Sequence, residues 1–142
     1  MKKRELEQRM RDFEGLCRER GTAVMLITHD MGVIAETADR VAVMYVGRIA
    51  EIGPLRDVVK NAKHPYTEGL MGAIPIFGQD VKRLVQIDGA MPRLTEIPEG
   101  CGFHLRCGHV MPRCRQERPE LMVTGGGSLA ACWLFGKAVE YA

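Results

Sequence analysis

Apolar residues open this chain at helical spacing. Leu6, Met10, Phe13 and Cys17 form one stripe, the pattern of an amphipathic helix over residues 3–20. Elsewhere on that segment acids stand four residues before bases, as in Glu5–Arg9, Glu7–Arg11 and Glu14–Arg18. That is the favourable order on an exposed helix face. Gly21 falls where the first residue beyond the helix belongs. The pattern then changes to an unbroken apolar run, Ala23 to Ile27, too short for a globular helix and without alternation. It reads as a strand buried on both faces of a parallel sheet. Thr28, His29 and Asp30 close it, and Asp30 suits the N-cap of a short helix over Met31 to Ala38.

Further on, Val41 to Tyr45 and Ile49 to Ile52 flank Val46-Gly47-Arg48, which predicts a hairpin. Gly53-Pro54 ends it and starts a short helix over Leu55 to Asn61. His64-Pro65-Tyr66-Thr67 opens the next helix, with Tyr66, Leu70 and Ile74 on one face; His64 and Tyr66 are assigned to capping and packing. Between Ile76 and Gly100 the glycines and prolines at 78, 89, 92, 98 and 100 leave only Leu84 to Ile87 apolar. This predicts a connector with little regular structure. Gly125-Gly126-Gly127-Ser128 has no lysine beside it and follows no predicted strand, so it reads as a flexible loop and not as a phosphate loop.

The 142 residues are 46% hydrophobic, enough for one modest core. A net charge of +2, with arginines interleaved among acids, gives no reason to invoke nucleic acid. No apolar run reaches the length of a bilayer span, and the first residues lack the apolar core of a signal peptide. The expectation is a cytosolic protein, whose cysteines are thiols or metal ligands more often than disulfides.

Four of those cysteines, Cys101, Cys107, Cys114 and Cys132, are separated by five, six and seventeen residues in a loop-rich tail. The grouping points to a soft-metal site. Zinc modules usually pair ligands two to four residues apart, and none of these gaps is that short; His104 and His109 keep zinc open by offering substitute ligands. A [4Fe–4S] cluster takes four thiolates from separated loops. Arg106, Arg113, Arg115 and Arg118 would offset the negative charge of either group, so charge does not choose the metal. A disulfide is the remaining alternative.

The order Leu26-Ile27-Thr28-His29-Asp30, helix, Ala38-Asp39-Arg40-Val41-Ala42-Val43-Met44, Gly47-Arg48 and Glu51-Ile52-Gly53-Pro54 closely resembles the last third of an ABC-transporter nucleotide-binding domain. His64-Pro65-Tyr66-Thr67, with Leu70-Met71 and Ala73-Ile74-Pro75, resembles the extension of the dipeptide, oligopeptide and nickel branch of these importers. Gly100-Cys101-Gly102-Phe103, Arg106-Cys107, Cys114, Arg118-Pro119 and Ala131-Cys132-Trp133 are similar to that branch's cysteine-rich tail.

The resemblance implies an α/β fold: a C-terminal fragment of a P-loop ATPase domain over residues 1–62, and over 63–142 an extension carrying a four-cysteine metal site. It implies that His29 is the switch-loop residue contacting the γ-phosphate of ATP, and that the four cysteines ligate a [4Fe–4S] cluster, with zinc as the alternative. The cluster would be a structural clip, since metal binding supplies folding free energy. The family's phosphate loop, its Leu-Ser-Gly-Gly-Gln signature and its magnesium-handling Asp-Glu are not in these residues. ATP and Mg2+ would therefore be bound only with an N-terminal part or a full-length ABC ATPase subunit, and this chain alone should hydrolyse almost none. The other implied partners are transmembrane permease subunits and, indirectly, a periplasmic or extracellular solute-binding protein. The implied place is the cytoplasmic face of the cell membrane. The competing reading is a stand-alone metal-binding or redox-sensing module.

Overall fold

The computed structural model describes residues 3–73 and 86–136. The chain divides into two compact units, residues 1–39 and 40–142. In the first, helix α1 spans Lys3–Glu19 and α2 spans Met31–Thr37. Gly21 ends α1 as the sequence predicts. At a φ of +63° it lets Thr22 N–H reach the Cys17 carbonyl at 2.8 Å while its own N–H reaches the Arg18 carbonyl at 3.2 Å, the paired bonds of a Schellman cap. Asp30 caps α2, its carboxylate accepting from Gly32 N–H at 2.8 Å and Val33 N–H at 3.2 Å. Of the expected stripe on α1, Phe13 is exposed and Cys17 half-buried. Leu6, Met10 and the acids of the Glu5–Arg9, Glu7–Arg11 and Glu14–Arg18 pairs have side chains outside the described ones.

The buried strand expected over Ala23–Ile27 is not formed. The segment has no regular structure, and Met25 and Ile27 are 89% and 91% exposed. A parallel strand is held by hydrogen bonds to neighbours on both sides. Among the described residues the sheet is built wholly from residues 40–54 and 122–130, and no strand pairs with this run.

In the second unit the predicted hairpin is present. Strands β1 (Arg40–Tyr45) and β2 (Arg48–Pro54) pair antiparallel, and β1 buries Val41, Val43 and Tyr45 while exposing Ala42 and Met44. Val46 and Gly47 form the turn at φ values of 41° and 79°, the twist that suits a two-residue hairpin loop. A β-branched residue rarely adopts positive φ; Val46 is held there by packing against Tyr45, Ala50 and Phe103. Ala50 is an extra residue in the ladder, because Val43 faces Glu51 while Met44 faces Ile49, which makes a bulge. Helices α3 (Leu55–Lys60) and α4 (Pro65–Gly72) follow; Ile74 and most of the apolar stretch before Ile87 lie outside the described residues.

A second hairpin takes the place of the flexible loop expected at 125–128. Strands β3 (Met122–Gly125) and β4 (Ser128–Ala130) pair antiparallel, and β4 also pairs with β2, setting Glu51 opposite Ala130 and Ile52 opposite Leu129. Gly125, Gly126 and Gly127 all have positive φ, so the glycine run is a tight turn. The sheet order is β1-β2-β4-β3. The fold is thus mixed α and β as expected, but around a small antiparallel sheet instead of a remnant of a parallel one. Its centre is an aromatic cluster in which Tyr45 lies 4.6 Å from Tyr66 and 5.2 Å from Phe103 between ring centroids.

Candidate functional site

β2 contributes Glu51, whose side chain is fully buried. Its carboxylate accepts from Lys63 N–H at 2.9 Å and from His64 N–H at 2.9 Å, the free amides just before α4. His64 is the N-cap, and its Nδ1 accepts from Tyr66 N–H at 3.0 Å. Because Nδ1 accepts a hydrogen bond, the neutral ring carries its proton on Nε2. Burial disfavours the charged ring and lowers the His64 pKa to about 4, partly countered by the nearby Ala131 backbone. Capping and packing, the roles assigned from sequence, are what His64 and Tyr66 do.

The four cysteines of the tail stand on short, tied elements. Cys101 N–H donates to the Cys114 carbonyl at 2.8 Å. That approach needs Gly100, whose φ is +70° and where any Cβ would overlap the Cys114 carbonyl oxygen. Cys107 follows a 3-10 turn (His104–Arg106), Cys114 lies within helix α5 (Pro112–Gln116), and Cys132 precedes a 3-10 turn (Trp133–Phe135). All four line one narrow apolar cavity, closed by His64, Phe103 and Trp133.

A backbone amide points at one of these sulfurs, His109 N–H lying 3.4 Å from Cys107 Sγ. Burial raises the thiol pKa of Cys101, Cys107 and Cys132, the last to about 11, and nearby backbone amides pull each back. Such donors favour thiolate over thiol, and a coordinating cation would deprotonate the thiol outright. A soft donor set of four sulfurs on one apolar cavity, with an amide on the Cys107 sulfur, fits a thiolate-bound metal group.

Among the described residues, however, no three His, Cys, Asp or Glu side chains are grouped so as to hold a metal ion. The metal site expected from Cys101, Cys107, Cys114 and Cys132 is therefore not assembled as a coordination sphere. Neutral thiols have no mutual attraction to draw them to bonding distance; a cation supplies it. Both histidines offered as substitute ligands line the same cavity; His104 is buried with Nδ1 2.8 Å from the Cys101 carbonyl oxygen, and His109 is exposed.

Three of the four arginines around the cysteines, Arg106, Arg113 and Arg118, serve as ties. Arg106 donates to the Ile87 and Asp88 carbonyls, both at 3.0 Å, and to Tyr45 Oη at 3.3 Å, fixing the connector to the aromatic cluster. Arg118 donates to the Gly100 carbonyl at 3.2 Å. Arg113 stacks 3.6 Å over the Trp133 ring, whose indole N–H is held by the Glu117 carbonyl at 3.0 Å. The buried role of Glu51 has no signal in the sequence beyond an acid in an otherwise apolar strand.

His29 belongs to the other unit. It is exposed, one residue before the cap of α2, in a turn closed by Asp30 N–H on Thr28 Oγ1 at 3.0 Å. Among the described residues no helix is long and apolar enough to cross a membrane.

Residues 50–114 match the family described as the oligopeptide/dipeptide transporter C-terminal region. The chain is 41% identical over 130 residues to the dipeptide transport ATP-binding protein DppD of Bacillus subtilis, covering 92% of this chain and 39% of that protein. It is 39% identical over 123 residues to the oligopeptide transport ATP-binding protein AppD of the same organism, covering 87% and 38%. With the oligopeptide transport ATP-binding protein OppD of Salmonella typhimurium it shares 42% over 118 residues, covering 83% and 35%. The chain thus spans less than two fifths of the length of these curated relatives.

Proposed function

We propose that this chain, which belongs to the family of oligopeptide and dipeptide transporter ATP-binding subunits and matches their C-terminal portion, works as that portion of a subunit energising a peptide-type ABC importer. Residues 1–62 are the end of the nucleotide-binding domain and 63–142 its extension. His29 is the switch residue that meets the γ-phosphate. ATP and Mg2+ are gripped by the N-terminal part or by a full-length subunit, since phosphoryl transfer rests on a phosphate loop and its lysine. Permease subunits, and through them a solute-binding protein, are the further partners, and the working place is the cytoplasmic face of the membrane. The observation that carries this reading is 41% identity sustained over 92% of the chain; an exposed His29 beside a helix cap is compatible with contact to a nucleotide.

Cys101, Cys107, Cys114 and Cys132 would hold a [4Fe–4S] cluster as a structural clip. The support is a set of four sulfurs on one cavity, with a backbone amide 3.4 Å from the Cys107 sulfur. Zinc, the alternative, would draw on the same sulfurs. When bound, the cluster contributes folding free energy to a tail whose apolar core is small.

The test is a chimaera in which this chain replaces the matching region of the Bacillus subtilis DppD protein. ATP hydrolysis should survive the exchange, and His29→Ala should abolish turnover while sparing nucleotide binding. Hydrolysis unchanged by His29→Ala overturns the role given to His29.

A further inference from the structure

Two residues flanking Cys114 on α5 meet the ring that follows Cys132. Arg113 Nε donates to the Glu117 carboxylate at 2.8 Å, and both side chains are more than half exposed. The Arg113 guanidinium carbon lies 3.6 Å from the centroid of the Trp133 ring, and the indole N–H donates to the Glu117 carbonyl at 3.0 Å. Trp133 lines the cavity of the four sulfurs, whereas Arg113 and Glu117 do not. The ring therefore stands between the ion pair and the thiols. Cys114 and Cys132 are buried, while Cys101 and Cys107 are half-buried.

We propose that Trp133 is the shutter of the thiol cavity, held closed by the Arg113–Glu117 pair, and that it sets how fast thiol reagents and metal species reach Cys114 and Cys132. Its purpose, admitting and then sealing a metal group, rests on the four-cysteine reading; the shutter itself is a property of the metal-free chain.

Glu117 holds the ring twice. Its carbonyl takes the indole proton, and its carboxylate steers the guanidinium that covers the ring face. Trp is the aromatic side chain that binds a cation on its face best, so an ion pair of little worth by itself becomes a clamp on the ring. All three contacts lie on the exposed side of the tail, where salt weakens charge interactions. Such a closure opens locally, without unfolding the sheet.

The experiment uses the full metal-free chain without oxygen and follows alkylation of each cysteine by iodoacetamide, resolved by peptide mass. In Trp133→Ala, Cys114 and Cys132 should be alkylated about tenfold faster than in wild type, and in Arg113→Ala about threefold, with Cys107 within about twofold in both. Trp133 is the only tryptophan of the chain, so acrylamide quenching of its fluorescence reports the ring directly and should rise in Arg113→Ala. Added salt should speed Cys132 alkylation in wild type and have no such effect in Arg113→Ala. Unchanged rates at Cys114 and Cys132 in Trp133→Ala overturn the shutter. Equal acceleration of all four tail cysteines overturns it too, since that is loss of the tail's fold. Should Trp133→Ala fail to fold, Arg113→Ala decides, because it leaves the ring in place: wild-type quenching and wild-type Cys132 reactivity there sink the proposal. Iron and sulfide reconstitution is run in parallel under anaerobic conditions. Wild type that takes up no cluster, with the selective effect present in the variants, supports the shutter while the cluster reading fails. A cluster that assembles in wild type, with alkylation of the metal-free variants equal to wild type, leaves the cluster reading standing and sinks the shutter.

Discussion

The backbone amide of His64 donates to the carboxylate of Glu51 across 2.9 Å, in the interior of the second unit. A buried carboxylate is costly unless hydrogen-bonded. Here the bonds come from two amides at the start of α4, where a helix N-terminus favours negative charge. One side chain on β2 thereby satisfies donors that no other element reaches, and it does so directly beside the β4 strand that leads to Cys132.

Replacing Glu51 with Leu should remove that acceptor and leave the Lys63 and His64 amides unpaired. Bonds to a charged group contribute roughly 1.5–3 kcal/mol each in net terms, so a loss of about 3 kcal/mol is expected in urea unfolding. A change below about 1 kcal/mol would show that water takes over the acceptor's role.

The depressed pKa of His64 gives stability a definite pH dependence. The folded ring releases its proton near pH 4, whereas the unfolded ring does so near 6.5. The unfolded state therefore binds more protons between those values, and stability falls as pH drops through that window. The loss attributable to His64 is about 3 kcal/mol between pH 7 and 4. It is read as the difference in urea midpoint slope between wild type and His64→Gln. Identical slopes in the two proteins would contradict a buried neutral ring.

Gly100→Ala should be among the most damaging single changes in the tail. Position 100 sits at a φ of +70°, and a Cβ there would also press on the backbone of Cys114 and Arg115, with the Arg115 carbonyl carbon at 2.8 Å. Strain and overlap of this kind cost about 1–3 kcal/mol each. The expected signs are a lower unfolding midpoint and faster exchange of the Cys101 amide proton. A variant as stable as wild type would mean that the 101–114 contact can open without cost.

Much of this was readable from local pattern. A β-rich run gave β1, the Gly47 turn gave the hairpin, Asp30 and Gly21 marked helix ends, and His64-Pro65 marked the start of α4. Each is decided within a few residues. What escaped was non-local. β4 is three residues long and gains its strand character from pairing with β2, about eighty positions earlier. The run at 23–27 carries the composition of a buried strand, but composition cannot supply the neighbours that make one. Arg106 sits among cysteines in the sequence, which suggested charge compensation, while in the fold it ties carbonyls nearly twenty residues back. The cysteine spacing announced a soft-metal donor set, and the fold brings those thiols to one cavity without setting them as a coordination sphere.

The most direct test is metal and sulfide analysis of the chain purified without oxygen. Four irons and four acid-labile sulfides per chain, with a brown colour lost when any of Cys101, Cys107, Cys114 or Cys132 is replaced by Ser, is the expected result. A colourless protein carrying one zinc, or none, would contradict the cluster at the centre of this account.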